Sequence, residues 1–222
     1  MAELFYPLLI AHLLSDFALQ TYGMVEAKFK YGARGVWPHI AVVGLMTTLA
    51  VVPQIEQWWL YVLIITVIHF VIDVSKVTLD QKVKNSWASK GLFLFDQLLH
   101  WLVLCGAAFF AQQAGLEAVW TISAVVWEQV VLGVFATFVV GILFLVFAPT
   151  YEWPNRGPAT IARAVIFLLA IMGFAWLAPI PALLAVGYHH LRGQALTKAL
   201  WIETIVGTVV TVWCGVVGFG GW

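Results

Sequence analysis

QWWLYVLIITVIHFVIDVSK, residues 57–76, decides the fold class of this chain. Its apolar residues neither alternate as in a half-buried strand nor leave one face polar as in a surface helix. Roughly 20 such residues are what a helix needs to cross a hydrocarbon core of about 30 Å. Working outward, comparable blocks lie near 3–21, 38–53, 91–111, 130–148 and 162–177. A short one follows near 179–188, bounded by Pro179 and Pro181, and a last one near 199–219. Ten-residue apolar/polar dyads, the mark of a membrane barrel, are missing. The expectation is an all-α polytopic transmembrane helix bundle of about eight segments, the seventh short. It forms one integral membrane domain over 1–222, with a His/Asp-bearing half at 1–112 and a C-terminal helical half at 113–222.

Composition points the same way. Of 222 residues, 63% are apolar and 10% charged, with a mean hydropathy of +0.95, whereas soluble domains run about 25% charged. The first block lacks a basic leader and contains Glu3, His12 and Asp16, so it reads as a span and not as a signal peptide. Cys105 and Cys214 both fall inside spans and read as core thiols, giving neither a disulfide framework nor a thiolate metal knuckle.

The eleven Lys and Arg residues form four clusters: Lys28, Lys30, Arg34; Lys76, Lys82, Lys84, Lys90; Arg156, Arg163; and Arg192, Lys198. Each follows an odd-numbered segment, while the intervening turns and both termini carry none. The positive-inside rule then puts the basic loops in the cytoplasm and both termini outside. An eight-segment count is the one that makes every loop agree. The net charge of zero offers nothing to nucleic acid. Trp37, Trp58, Trp59, Trp120 and Trp153 fall at segment ends, as interfacial aromatics do.

Chemistry is expected where charge enters the membrane. His12 and Asp16 in the first segment, His69 and Asp73 in the third, and Asp96 and His100 in the fourth are each spaced i,i+4, which puts both side chains on one helix face. The order reverses in the antiparallel fourth segment, so all three aspartates sit nearer the cytoplasm and all three histidines deeper. Intramembrane charges are costly and usually mark a site or a pathway. Imidazole with carboxylate suits zinc, iron or manganese, and six donors exceed what one tetrahedral ion needs. Two metals, or one metal with acid/base groups, both fit. His39 at the start of the second segment is a possible seventh ligand, although a plain interfacial role is the simpler reading. Gln20 continues the face of His12 and Asp16, and Lys76 is placed to neutralise a carboxylate or an anionic substrate.

Plainer readings cover other residues. Lys28, Lys30, Lys82 and Lys84 are expected to face lipid headgroups, and His189, His190, Arg192 and Lys198 to fix topology. Glu203, in the first turn of the last segment, suits the helix dipole. Glu128 marks an interfacial stretch, and Gly207, Gly215 and Gly218 imply close helix contact.

The stretch from Ala11 through His12, Asp16 and Gln20, then Lys28, His39, His69-Phe-Val-Ile-Asp73-Val-Ser-Lys76 and Asp96-Gln97-Leu-Leu-His100, resembles the bacterial and phage integral membrane family catalogued as domain of unknown function 3307. A weaker likeness runs through Gly157, Arg163 and Gly207-Thr208. Where that family often carries Leu-Glu-Arg, this chain has Ile161-Ala162-Arg163, so no acidic role transfers. The resemblance implies a shared intramembrane site at His12, Asp16, His69, Asp73, Asp96 and His100, and it brings no established activity.

Three functions compete. The first is a metal-dependent hydrolase acting on a lipid-like substrate from the cytoplasmic leaflet, with the histidines as ligands, Asp16, Asp73 and Asp96 as bridging ligands or general base, and Lys76 stabilising developing negative charge. The second is a cation- or proton-coupled transporter built on the same pairs, although no repeat between the halves is visible. The third is a structural or redox subunit docked on a membrane protein partner.

Overall fold

The computed structural model describes residues 1–147, 156–193 and 197–219, and every regular element among them is a helix. The chain divides into two compact units, Met1–Ala124 and Val125–Trp222.

In the first unit, α1 (Ala2–Leu13) runs into a π-helical turn at Leu14–Ala18, and the chain then bends by 81° into α2 (Tyr22–Tyr31). The helices α3 (Ala33–Val51) and α4 (Ile55–Asp80) are separated by a 3-10 turn at Val52–Gln54, and α5 (Ser86–Gln113) follows. From Ala33 to Asp80 the chain is helical almost throughout, yet it folds back at Pro53. The Trp37 ring stacks on Phe70 at 4.8 Å, and Val36 and Ile40 share a buried cluster with Val77. The segment after α5 is pinned to this turn, since the Trp120 indole donates to the Ala50 carbonyl at 2.7 Å and the Gln54 amide to that of Ala118 at 3.3 Å.

The basic stretch read as a loop is thus largely the helix α2. The Thr21 hydroxyl accepts from the Met24 amide at 3.3 Å, a side-chain cap that starts a helix where composition alone shows a polar break. α4 also outlasts its apolar run: its 26 residues extend about 39 Å at 1.5 Å per residue, against about 30 Å for a hydrocarbon core.

Both α4 and α5 are inside-out by the standards of a soluble protein. The buried residues of α4 are Trp58, Ile65, His69, Asp73 and Val77, and those of α5 are Asp96, His100, Leu104, Ala108 and Ala111, one stripe on each helix. Leu60, Leu63, Ile64, Val67, Ile68 and Val71 of α4 face outward and are exposed, as are Leu94, Phe95, Leu98 and Leu102 of α5. Apolar outside and polar inside suits a lipid surround.

In the second unit, α6 (Ala124–Val134) and α7 (Val140–Phe147) flank a π-helical turn at Phe135–Val139, and α8 (Arg156–Ile171), α9 (Pro179–Leu191) and α10 (Lys198–Phe219) follow. α8 and α10 touch so closely that a Cβ on Gly215 would stand 2.4 Å from that of Ala170, the small-residue contact that membrane helices use. Ala136, Phe167 and Cys214 form a buried cluster beside it.

Four stretches are long and apolar enough to cross a membrane: Ala33–Asp80, Ser86–Gln113, Ala124–Phe147 and Lys198–Gly218; Ala2–Ala18 with Tyr22–Tyr31 adds a bent pair. The 16 residues of α8 and 13 of α9 reach only about 24 and 20 Å. Of the expected interfacial tryptophans, Trp37 and Trp59 are exposed, but Trp58 is wholly buried, on the stripe that carries Ile65 and His69. Trp153 and the end of the fifth segment at 148 lie outside the described residues.

Candidate metal centre

The π-helical turn at Leu14–Ala18 carries Ser15 and Asp16 inward at the end of α1, and such turns are frequent at functional sites. α4 supplies His69 and Asp73, α5 supplies Asp96 and His100, and α3 supplies His39. All six His/Asp residues expected from spacing converge here, and His39 joins them at the centre with no exposed surface.

The tightest grouping is a triangle. Nε2 of His39 lies 3.2 Å from Nε2 of His69 and 3.4 Å from Oδ1 of Asp16, and His69 Nε2 lies 3.5 Å from the same oxygen. Asp73 closes one side, with Oδ2 3.6 Å from His39 Nε2 and Oδ1 3.9 Å from His69 Nε2. It also reaches α5, where His100 Nε2 is 3.7 Å from Asp73 Oδ1 and 3.5 Å from Asp96 Oδ1. His12 completes the set, its Nδ1 3.6 Å from Asp16 Oδ1. The His69 and His100 rings stack at 3.9 Å and the His12 ring is 5.1 Å from that of His100, so these three imidazoles form one layer. A small cavity lined by His12, His69, His100, Thr47 and Ile65 adjoins that layer.

The donor set fits a metal ion. A tetrahedral zinc with bonds of about 2.0–2.2 Å holds its ligand atoms about 3.3–3.6 Å apart, and the triangle spans 3.2 to 3.5 Å. His12 Nε2, His100 Nε2 and Asp96 Oδ1 are buried with no hydrogen-bond partner among the described residues, which is donor capacity a ligand would use. Polar neighbours brace the cluster: the Gln20 amide is 3.4 Å from His39 Nδ1 and 3.5 Å from its Nε2, the Gln97 amide donates to Asp96 Oδ2 at 3.1 Å, and the Ser15 hydroxyl donates to the His12 carbonyl at 2.9 Å.

Two lysines pair with carboxylates, one within the cluster and one beyond it. Lys76 pairs with the Asp80 carboxylate at 3.3 Å, one turn further along α4. Lys28, expected at the headgroups, is buried, and its ammonium sits 2.6 Å from Asp73 Oδ2. The cap at Thr21 is a readable sign that a helix begins there, but not of which face turns inward. Lys30, Lys82 and Lys84 are exposed.

The second unit holds a separate buried pair that sequence assigned to a loop and a helix dipole. Arg163 on α8 donates through Nη1 to Glu203 Oε1 on α10, and through Nε to the Thr137 carbonyl at 3.2 Å. Gly141 and Gly207 leave room for the guanidinium, since a Cβ on Gly141 would stand 2.5 Å from Nη2. His189 is also buried, whereas His190 is exposed.

No curated protein and no solved structure matches this chain significantly. Residues 4–130 match the family described as Protein of unknown function (DUF3307), a stretch that contains the whole His/Asp centre and more than half of the chain, and the protein belongs to that family.

Proposed function

We propose that the protein is a multi-pass membrane hydrolase whose N-terminal unit holds a divalent transition metal, zinc, iron or manganese, and acts on an anionic lipid-like substrate from the cytoplasmic leaflet. The observation that carries the reading is the triangle of His39 Nε2, His69 Nε2 and Asp16 Oδ1, with edges of 3.2, 3.4 and 3.5 Å, buried among apolar helices. A divalent ion there supplies Lewis-acid activation of water and of the scissile group. In hydrolysis the water oxygen bonds to phosphorus or acyl carbon, and the ester oxygen leaves with a proton. Asp73, 3.6 Å from His39 Nε2, would take and return that proton, with Asp96 linked to it through His100. The ammonium of Lys28, in the place first given to Lys76, favours an oxyanion beside Asp73.

The topology belongs to the same reading. α1, α3, α4, α5, α6 with α7, α8, α9 and α10 are taken as eight membrane segments, with both termini outside and α2 lying along the cytoplasmic surface. Purified protein in phospholipid vesicles, with and without metal depletion, tests the activity on phosphodiester and acyl-ester lipids. Metal-dependent release of headgroup or fatty acid is expected, and hydrolysis unaffected by depletion removes the mechanism.

A second reading rests on the Lys28–Asp73 pair, because paired charges inside an apolar helix bundle also mark ion and proton pathways. Cation or proton flux into vesicles without lipid cleavage selects that reading.

A further inference from the structure

We propose that the centre holds a single divalent cation and that Lys28 is its built-in second cation, occupying the side of Asp73 where another metal would bridge. The inference rests on the metal reading above and adds its stoichiometry and charge balance.

Among the described residues, Asp73 belongs to two of the three His/Asp groupings close enough to hold an ion, His39 with His69 and Asp96 with His100, so it is the carboxylate that would join two ions across them. Its Oδ1 faces His69 and His100 at 3.9 and 3.7 Å, and its Oδ2 faces His39 at 3.6 Å. A bridging carboxylate commits one oxygen to each ion, but Oδ2 already accepts from the Lys28 ammonium at 2.6 Å. An ammonium and a divalent ion competing for one buried oxygen repel each other strongly where water does not screen them. Charge counting gives the same limit. Asp16, Asp73 and Asp96 against Lys28 leave at most two negative charges, the value with every histidine neutral, and one divalent cation is enough to cancel them. Two divalent cations would leave two positive charges in the membrane interior, which is costly.

Lys28 is not a surface side chain caught in passing. A Cβ on Gly35 would stand 1.9 Å from the Ala27 carbonyl oxygen, so α2 lies directly against the start of α3. The Gln81 amide, just past α4, donates to the Phe29 carbonyl at 3.2 Å. Wedged this way, α2 aims Lys28 at Asp73 while Lys30, two residues on, is exposed. The triangle of His39, His69 and Asp16 is then the single coordination site, and the Asp96–His100 pair stands outside it.

Titration of the metal-depleted, detergent-purified protein with zinc chloride, read by elemental analysis after gel filtration, decides the matter. One zinc per chain is expected for the parent and for Lys28→Arg, which keeps the charge. In Lys28→Met, zinc binding should rise to two per chain or tighten at least tenfold, while the exposed Lys30→Met should match the parent. Two zinc ions per parent chain would overturn this inference and leave the metal centre standing. No zinc in the parent would overturn the metal centre itself. A monodisperse Lys28→Met protein with unchanged number and affinity would remove the role of Lys28.

Discussion

Nε2 of His39 and Nε2 of His69 face each other at 3.2 Å from two different helices, and Asp16 Oδ1 lies within 3.5 Å of both. Two imidazole nitrogens that close must either share one proton or turn both lone pairs toward a cation. With a carboxylate oxygen at the third corner, the second arrangement satisfies all three groups at once. His39→Ala and His69→Ala are therefore each expected to lower zinc affinity by at least about a hundredfold, beyond the range of outer-shell changes. His190→Ala, on an exposed residue, should leave it unchanged. Isothermal titration in detergent makes the comparison, and a His69→Ala protein that binds zinc as the parent does would dismantle the triangle.

The contact between α2 and α3 depends on a missing side chain. Gly35→Ala would force its Cβ to within 1.9 Å of the Ala27 carbonyl oxygen, so the backbone has to shift. A loss of about 1–3 kcal/mol, as for other overpacked sites, is expected in thermal unfolding. Gly91→Ala meets nothing within 4 Å on α5 and should be neutral or stabilising by up to about 1 kcal/mol. Equal melting temperatures for the two variants would contradict the close approach.

The Arg163–Glu203 pair of the second unit is expected to behave as a buried ion pair. Glu203→Leu strands a guanidinium and should destabilise by about 3–5 kcal/mol, whereas the double change Arg163→Met with Glu203→Leu should recover most of that loss. Chemical unfolding of the three proteins gives the coupling directly. Additive losses in the double variant would mean that the two groups do not depend on each other.

The basic clusters make a prediction about sidedness. In a background lacking Cys105 and Cys214, Tyr31→Cys and Ser86→Cys should resist an impermeant thiol reagent added to intact cells and react once the membrane is opened. Labelling of both from outside would invert the topology.

How much was legible beforehand follows from which forces act locally. Helix and membrane character were readable in residues 57–76 because a backbone in hydrocarbon must satisfy its own hydrogen bonds, and apolar length alone then dictates a helix. The pairs His12/Asp16, His69/Asp73 and Asp96/His100 were readable because i,i+4 spacing is a local property and burying such groups without function is costly. Three things were decided only by tertiary structure. His39 sits at the centre of the cluster because the turn at Pro53 folds α3 back on α4 and brings residues on either side of it face to face. Lys28 reaches Asp73 because the chain bends by 81° after Ala18 and α2 packs against α3, which local spacing does not encode, whereas the pairing of Lys76 with Asp80 is local, at i,i+4. Arg163 meets Glu203 across 40 positions of chain because small residues let α8 and α10 approach closely. A sequence lists both charges, but only the packing of the helices brings them together.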